Sequence, residues 1–306
     1  MLTHLPKKVR IVEVGPRDGL QNEKSIVSLQ DKISFIKKLK AAGLHEIEAT
    51  SFVRAEKIPQ MGDGAELLKK LLEDSDLKDI KLISLVPNLK GLNDAISAGA
   101  SEIAVFTSTS NTFNQKNINA SIDESLKKIE EVSKTAIANN IRVRGYISTV
   151  FGCPYEGKTS LQELKRVASI LESMGVYEIS LGDTIGVANP LQVAETLKFL
   201  LKDFKPQFFS MHFHDTRGMA LANILTSLEF GMTSFDSSAG GLGGCPYAAG
   251  ASGNVATEDL VYLMHSLGIE TGVDLKKLTE ASMYILSQLK RESPSKYLKA
   301  YLNTGY

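Results

Sequence analysis

His212 and His214, separated by one residue, are the side chains whose types and spacing best suit metal chemistry in this chain. Polar and apolar residues alternate around them, as they do along a strand. On a strand both histidines share one face with Ser210, and the residues between them face the other side. Two such positions lie about 6.6 Å apart, so both imidazoles can reach one cation. A lone strand histidine is more often a hydrogen-bonded core residue, but an inward pair with nearby carboxylates favours a metal site.

Two further residues could complete the ligand set, the carboxylate of Asp18 and the amide oxygen of Asn254. A mixed set of nitrogen and oxygen ligands is typical of Mg²⁺ or Mn²⁺, although Zn²⁺ and Co²⁺ also bind such sets. Zinc hydrolase barrels use a His-x-His pair too, but usually at the end of the first strand. The position of this pair late in the chain therefore argues against a hydrolytic zinc site.

Cys245 lies in a segment, residues 239–254, that has six glycines in 16 residues. Such a segment is either a flexible connector or a mobile lid whose backbone can approach a substrate. A cysteine beside a cationic site would be more acidic than usual, so Cys245 is a candidate acid or base. Cys153 has a similar Gly-Cys-Pro-Tyr setting and is interpreted as structural.

Alternating β-branched runs and amphipathic segments must position these residues. The predicted strands are Val9–Gly15, His45–Ser51, Ile80–Val86, Glu102–Phe106, Arg142–Thr149, Tyr177–Leu181, Phe208–His214 and Thr233–Ser238. Eight strand–helix units favour an α/β fold of the closed (β/α)8 TIM barrel type. The alternative is an open doubly wound sheet, but no glycine-rich phosphate fingerprint follows the first strand.

Capping signals predict four helix starts, at Ser28, at Ser121 with Glu124, at Ser160 with Glu163, and at Asn189 with Pro190. After the eighth strand, two more helical patterns cover residues 256–265 and 275–290. No segment has a linker composition, so residues 1–306 are interpreted as one catalytic domain with a helical extension from about residue 274. The tail beyond Arg291 is expected to be loose or packed on a partner subunit.

In a (β/α)8 barrel the reactive residues lie at the carboxyl ends of the strands and in the loops that follow. Unusual polar residues do occur there. The first strand ends in Gly-Pro-Arg17-Asp18-Gly, and the sixth ends in Gly-Asp183-Thr. Glu46 and Glu48 interrupt the second strand, although a parallel strand buried on both faces is normally apolar. The pattern is that of an enzyme.

Composition excludes several other classes of protein. The chain has 306 residues, 35 basic and 35 acidic side chains, and 43% hydrophobic residues, as in an ordinary globular protein. Zero formal net charge argues against nucleic acid or an anionic membrane as partner. Two cysteines are too few for a disulfide framework. No apolar run is long enough to span a membrane, and no leader precedes the first strand, so a cytoplasmic location is expected.

Four motifs carry a resemblance to a known family. They are Glu13–Val–Gly–Pro–Arg–Asp–Gly–Leu–Gln–Asn–Glu23, Ala49–Thr–Ser–Phe–Val53 with Pro59–Gln–Met–Gly–Asp63, His212–Phe–His–Asp–Thr216, and Gly241–Leu–Gly–Gly–Cys–Pro–Tyr247. From about Val9 to Lys290 the chain resembles the 3-hydroxy-3-methylglutaryl-CoA lyase family, part of a superfamily of metal-dependent lyases and Claisen-condensing barrels. The last motif is one that the condensing enzymes generally lack.

The resemblance implies roles for individual residues. It implies that Asp18, His212, His214 and Asn254 bind a divalent cation, Mg²⁺ or Mn²⁺. It implies that Arg17 stabilises enolate charge, that Cys245 acts on a lid, and that Glu48 and Asp183 are further active-site carboxylates. For the proton that must leave the substrate hydroxyl, Asp18, His212 and Asp183 all remain candidates. Gln21 and Lys24 are candidate contacts of the acyl-CoA substrate.

The implied reaction is cleavage of 3-hydroxy-3-methylglutaryl-CoA to acetyl-CoA and acetoacetate, a step of leucine degradation and ketone body metabolism, in a homodimer. An acyl-CoA condensing synthase, or a lyase for a related 3-hydroxyacyl-CoA, is the alternative. A ligand-binding barrel without activity does not need so complete a polar set. Arg217 and Met219 depart from the family pattern after the metal motif. Arg217 is expected to face solvent; otherwise it could alter the choice of substrate.

Overall fold

Eight parallel strands close into one barrel in the computed structural model, which describes residues 5–244 and 253–304. Each strand pairs with the next, and β8 pairs with β1. The strands are β1 Arg10–Glu13, β2 Glu46–Ser51, β3 Lys81–Leu85, β4 Glu102–Ser108, β5 Arg142–Ser148, β6 Glu178–Asp183, β7 Phe209–Phe213 and β8 Ser234–Ser237. All eight predicted strands are confirmed, and the open sheet is excluded.

Eleven helices are found in the described part of the chain. They are α1 Leu29–Ala41, α2 Gly64–Glu73, α3 Leu89–Ser97, α4 Asn111–Ile118, α5 Ile122–Ala138, α6 Leu161–Ser173, α7 Pro190–Leu200, α8 Ala220–Glu229, α9 Thr257–Ser266, α10 Leu275–Leu289 and α11 Lys296–Thr304. None of these helices combines the length and the apolar character that a bilayer-spanning segment needs.

The predicted capping residues begin their helices, with one difference in detail. Ser28 caps α1, and both Ser121 and Asn189 form reciprocal capping boxes at the starts of α5 and α7. Ser160 accepts a hydrogen bond from the Glu163 amide, but the reciprocal half of the box is missing. The Glu163 carboxylate instead forms an ion pair with Arg166, 2.7 Å away, because that cation offers it a stronger partner than a backbone amide.

The prediction of a loose tail beyond Arg291 was wrong. Residues Lys296–Thr304 form α11, which packs against α9 and buries Leu298. The reason is a carboxylate on α9. Asp259 accepts hydrogen bonds from the amides of Lys296 and Tyr297, at 3.1 and 2.7 Å, and from the Ser295 hydroxyl at 2.8 Å. These bonds satisfy free N–H groups at the start of α11, as a helix N-terminus requires.

The inner face of the barrel carries buried charges beside a small apolar cluster of Val12, Val14, Ile83, Leu85 and Ala104, whereas the outer face packs against the helices. Phe209, Met211 and Phe213 on β7 belong to the apolar layer between strands and helices, as their alternation with the histidines predicts. Inside the barrel, Glu46 forms ion pairs with Arg10 and Lys81. The carboxylate of Glu46, unexpected in a buried strand, is therefore neutralised by ion pairs at the amino-terminal end of the barrel. A functional site is expected at the opposite, carboxyl-terminal end.

Candidate metal centre

A single π-helical turn, Gly15–Gly19, follows β1 and presents Arg17 and Asp18 at the carboxyl end of the barrel. The turn is closed by a bond from the Gly19 amide to the Val14 carbonyl, 3.1 Å long. A Cβ atom on Gly19 would lie 2.7 Å from Ser238 Oγ and 2.8 Å from Leu242 Cβ. The turn thus needs glycine because it packs directly against the start of the segment that follows β8.

Asp18, His212 and His214 come together as the strand pattern predicted. Each offers one ligand atom, and these atoms all lie within 4.8 Å of one another. His212 Nε2 is 4.0 Å from Asp18 Oδ2. No other such cluster of His, Cys, Asp or Glu is found among the residues that the structure describes.

Asn254 joins this group through Asp18. Its Nδ2 atom donates to Asp18 Oδ2 over 2.8 Å, and its backbone pairs with that of His214. Asn254 Oδ1 and His214 Nδ1 are both buried, and neither has a hydrogen-bond partner among the described residues. Unpaired buried polar atoms are costly, by about 1–3 kcal/mol each. Two of them beside a carboxylate and a second imidazole fit a divalent cation with nitrogen and oxygen ligands.

The two histidines differ in their electrostatic environment. Burial alone would lower the pKa of His212, but the bond to Asp236 and the charges of Asp236 and Asp18 raise it above its ordinary value. Burial and the neighbouring His212 lower the pKa of His214 to about 4. Burial would raise the pKa of Asp18, yet Arg17 and both histidines bring it down to about 2. At neutral pH, Asp18 is anionic and His214 is neutral, as metal ligands must be.

Arg17 is buried between two carboxylates next to this triad. Its Nη1 is 2.7 Å from Asp18 Oδ1, and its Nη2 is 2.6 Å from Glu48 Oε2. Its Nε is buried and has no hydrogen-bond partner in the described part of the chain. The guanidinium also lies 5.6 Å from the centre of the Tyr146 ring. Arg17 therefore has a fixed orientation and one donor to spare.

A cavity of about 1450 Å³ opens above these groups. Arg17, Asp18, His212 and His214 line it together with Gln21, whose Oε1 is buried and unpaired among the described residues. Five further basic side chains line it farther out, namely Arg54, Lys57, Lys69, Lys90 and Lys128. Lys24 is exposed and is not part of the cavity lining in the described structure. Two acidic side chains, Glu56 and Asp94, also line this outer part. The cavity is large enough for an extended ligand, and away from the triad basic side chains outnumber acidic ones.

Asp183 is buried close enough to His212 to feel its charge, and its carboxylate bonds to amides of its own loop. Its two carboxylate oxygens accept from the amides of Val187 and Ala188, at 2.9 and 3.1 Å. In strand register it pairs with Phe213, which faces the helices, whereas Gly182 pairs with the inward His212. Burial raises its pKa to about 6. Asp183 therefore shapes the β6–α7 loop beside the site.

Two other expectations concern residues around the site. Arg217 is exposed, as expected, and its Nη1 donates to the carbonyls of Ile185 and Gly186, at 2.9 and 3.0 Å. It links the loop after β7 to the loop after β6. Cys245 lies outside the described residues, whereas Cys153 is buried and its Sγ is 3.0 Å from Ser110 Oγ.

Sequence reasoning missed a buried charge pair beneath the histidines. Arg144 on β5 and Asp236 on β8 are both essentially unexposed, and Arg144 Nη2 is 2.6 Å from Asp236 Oδ1. Asp236 Oδ2 is in turn 3.3 Å from His212 Nδ1. The signal was present, because each is a charged residue inside a strand that is otherwise largely buried, as Glu48 is. Their partnership could not be read from strands that are far apart in sequence.

Comparisons with known proteins agree with this geometry. The family model described as HMGL-like matches residues 8–285. Hydroxymethylglutaryl-CoA lyase from Bos taurus, a mitochondrial protein, is 52% identical over 295 residues, covering 96% of this chain and 90% of the relative. Curated relatives of similar identity carry either mitochondrial or cytoplasmic names.

Solved structures give the same result. Hydroxymethylglutaryl-CoA lyase from Pseudomonas aeruginosa superposes with a TM-score of 0.94 at 46% identity, covering 98% of this chain and 99% of the other. An HMG-CoA lyase from Acinetobacter baumannii, described as a complex with coenzyme A and 3-methylmalate, has a TM-score of 0.92 at 38% identity. That match covers 98% of this chain and 97% of the other.

Proposed function

The chain belongs to the HMGL-like family of lyases, and from this we propose that it cleaves 3-hydroxy-3-methylglutaryl-CoA to acetyl-CoA and acetoacetate. The observation that carries the proposal is the placement of Arg17 next to the Asp18, His212 and His214 triad at the foot of a large cavity. A carbon–carbon lyase of this type needs groups that hold the hydroxyl end of the substrate and a cation that faces the thioester.

The metal ligands in this proposal are Asp18, His212, His214 and Asn254, with Mg²⁺ or Mn²⁺ as the resident ion. The two unpaired buried acceptors on His214 and Asn254 support this set. When bound there, the ion would orient the substrate oxygens and make the hydroxyl more acidic. Without a cation, the same atoms would remain desolvated and unpaired.

Bond cleavage begins when a base removes the proton of the tertiary hydroxyl. Asp18, His212 and Asp183 remain the candidates. The amide contacts of Asp183 count against it, and His212 has no free lone pair when its Nε2 is a metal ligand and its Nδ1 faces Asp236. The electron pair of the O–H bond forms the ketone of acetoacetate, and the carbon–carbon bond breaks toward the thioester. The product of that step is the enolate of acetyl-CoA, whose oxygen carries the developing charge.

Arg17 is proposed to stabilise this enolate oxygen. Its unpaired Nε–H is already desolvated, and the ion pairs with Asp18 and Glu48 hold the guanidinium in place. Such preorganised donors lower the transition-state energy most, since the site does not have to reorganise during the reaction. Glu48 acts by holding Arg17, which fits its place among the active-site carboxylates.

The enolate carbon must then take up a proton to become the acetyl methyl group. We assign that proton to Cys245, the cysteine of the glycine-rich segment, directly or through a relay. Ser238 and Asn254 bracket this segment, and both lie at the site. Closure of the segment over the cavity would keep water away from the enolate.

The CoA portion of the substrate is assigned to the outer part of the cavity. Gln21 supports this, because it lines the cavity and has an unpaired buried oxygen. Lys24 is exposed near the same turn and could reach only the solvent end of the ligand. The five basic side chains along the cavity wall provide the positive charge that phosphates require.

Quaternary structure and location complete the proposal. We infer one catalytic domain that forms a homodimer, as the resemblance implies, and we propose a cytoplasmic location, which some curated relatives also have in their names. Exposed apolar side chains on the last helices, Met283 and Leu302, support an interface there. Light scattering of the purified protein and fractionation of the source cells test these two points.

The test of the proposed reaction is release of acetoacetate from 3-hydroxy-3-methylglutaryl-CoA, measured with Mg²⁺, with Mn²⁺ and with chelator. Product should appear with either metal and stop with chelator. A parallel incubation with acetyl-CoA and a 2-oxo acid tests the condensing alternative. If no metal-dependent acetoacetate is formed, the proposed function is wrong.

A further inference from the structure

We infer that Asp236 is a positioning residue that keeps the proton of the His212 imidazole on Nδ1, so that Nε2 is free to bind the cation. The inference rests on the metal site proposed above and deepens it. Asp236 lies on β8 and pairs in strand register with His212 on the neighbouring β7. It has no place in the sequence motifs that indicate the site.

The geometry of the two side chains sets the direction of the hydrogen bond. Asp236 Oδ2 is 3.3 Å from His212 Nδ1, and the opposite ring atom, Nε2, faces Asp18 Oδ2 at 4.0 Å. An ionised carboxylate can only accept hydrogen bonds, so the shared proton must lie on Nδ1. A neutral imidazole then has its lone pair on Nε2, the atom that faces the triad.

Asp236 is held in this state by a full set of donors. Arg144 Nη2 donates to Oδ1 over 2.6 Å, and Arg144 Nη1 lies 3.3 Å from Oδ2. The hydroxyls of Ser210 and Ser180 donate to Oδ1 and Oδ2, at 2.9 and 2.7 Å. Every one of these neighbours donates, and all are buried. The carboxylate is therefore fixed in rotation and presents Oδ2 to the imidazole.

Arg144 is fixed in turn, which makes the arrangement rigid. Its Nε donates to Glu178 Oε1 and its Nη1 to the Tyr146 hydroxyl, both over 2.7 Å. The position of His212 is thus determined by side chains from four strands of the barrel, none of which belongs to the ligand set. His214 differs, because its Nδ1 has no hydrogen-bond partner among the described residues.

The replacement Asp236→Asn tests the inference because it keeps the shape and changes one atom from acceptor to donor. The Asn amide can take two orientations. The short bond from Arg144 favours the one with the carbonyl oxygen at the Oδ1 position, because an amide nitrogen there would face a cationic donor. The amide nitrogen then takes the Oδ2 position and donates to His212 Nδ1. The imidazole proton is forced onto Nε2, which can no longer bind a metal.

Two measurements on the full-length protein follow. The dissociation constant of Mn²⁺, from electron paramagnetic resonance of free Mn²⁺, should rise about 10- to 100-fold in Asp236→Asn, as loss of an outer-shell partner does elsewhere. Nitrogen-15 spectra of the histidine rings, recorded without metal at an alkaline pH where the His212 ring is neutral, should show its proton on Nδ1 in the native protein and on Nε2 in the variant. A purely structural role would leave the ring proton in place.

Ser234→Ala is the matched control. Ser234 Oγ bonds to Ser210 Oγ at 2.9 Å and to Arg10 Nη2 at 2.8 Å, so it belongs to the same buried network but does not touch Asp236 or His212. Its Mn²⁺ affinity and ring spectra should match the native protein. An equal loss of affinity in both variants, or unchanged affinity and tautomer in Asp236→Asn, would overturn the inference.

The inference can be tested even if Asp236→Asn does not fold. A spectrum of the native protein with the His212 proton on Nε2 would also overturn the inference. Failure of the proposed metal site gives a different result. In that case the native protein binds no Mn²⁺, or binds it equally well after His214→Ala, whatever the tautomer of His212.

Discussion

Arg17 Nη2 lies 2.6 Å from Glu48 Oε2, and both side chains are buried at the foot of the cavity. Apart from Arg17, no group of the described structure hydrogen-bonds to either carboxylate oxygen of Glu48. Burial raises the pKa of Glu48, and the charge of Arg17 opposes that rise. The ion pair therefore orients the Arg17 guanidinium, and each of the two buried charges is stabilised by the other.

We expect Arg17→Gln to lower turnover on the order of 10²- to 10³-fold, as loss of an oxyanion donor does. Mn²⁺ binding should survive, because Arg17 is not a ligand. Arg166→Gln, which removes an exposed surface arginine, is the control and should have normal turnover. In Arg17→Gln the buried Glu48 carboxylate loses its cation, which should lower the free energy of unfolding. The double variant Arg17→Gln/Glu48→Gln should regain that stability but not the turnover. Normal turnover in Arg17→Gln would contradict the enolate role.

His214→Ala removes a proposed metal ligand. The dissociation constant of Mn²⁺ should therefore rise by at least the roughly 10- to 100-fold that is typical when a residue supporting a ligand is lost. Titration calorimetry measures this directly. His265→Ala removes a histidine on α9 that bonds to Thr271 and takes no part in the triad. A similar affinity for His214→Ala and His265→Ala would mean that the triad does not hold the ion.

Asp183→Asn should lower the free energy of unfolding by about 1–3 kcal/mol. The variant keeps one acceptor for the Val187 and Ala188 amides and turns the other into a donor that faces an N–H group. Urea unfolding of the metal-free protein measures the change. Unchanged stability would show that the carboxylate does not organise the β6–α7 loop.

Glu258 should make the protein less stable as the pH rises from about 4.5 to about 7. Burial raises its pKa to about 7, against the hydrogen bonds from the Gly240 amide that lower it. The folded state therefore holds a proton that the unfolded state has already lost, so stability falls across this window. Glu258→Gln stays neutral, so the native protein should lose about 3 kcal/mol of unfolding free energy relative to the variant from pH 4.5 to pH 8. A constant difference would contradict the raised pKa.

Cys245→Ala should spare substrate binding and reduce turnover, because the proton donor for the enolate carbon is lost. Equilibrium binding of the substrate to the metal-free protein and steady-state turnover separate the two effects. Cys153→Ala is the contrast, since Cys153 packs against Ser110 and is expected to affect stability instead. An unchanged rate for Cys245→Ala would remove it from the mechanism.

The sequence by itself determined the strands and most of the candidate metal site. Alternation along residues 209–214 was enough to place His212 and His214 on the inner face, because the two-residue period of a strand leaves no other arrangement. The count of eight strand–helix units was enough for the closed barrel. Short-range signals also located the helix starts, since a capping side chain bonds to an amide only two or three residues away.

Tertiary structure alone decided which charges are partners. Glu46, Glu48, Arg144 and Asp236 look alike in sequence, each a charge in a buried strand, yet only Glu48 and Asp236 contact site residues. The closed barrel brings β5 and β8 side chains together across its interior, a proximity that no local pattern encodes. The formation of α11 is likewise decided by tertiary structure. Asp259, which accepts a hydrogen bond from the Lys296 amide at the start of α11, lies 37 residues earlier in the chain.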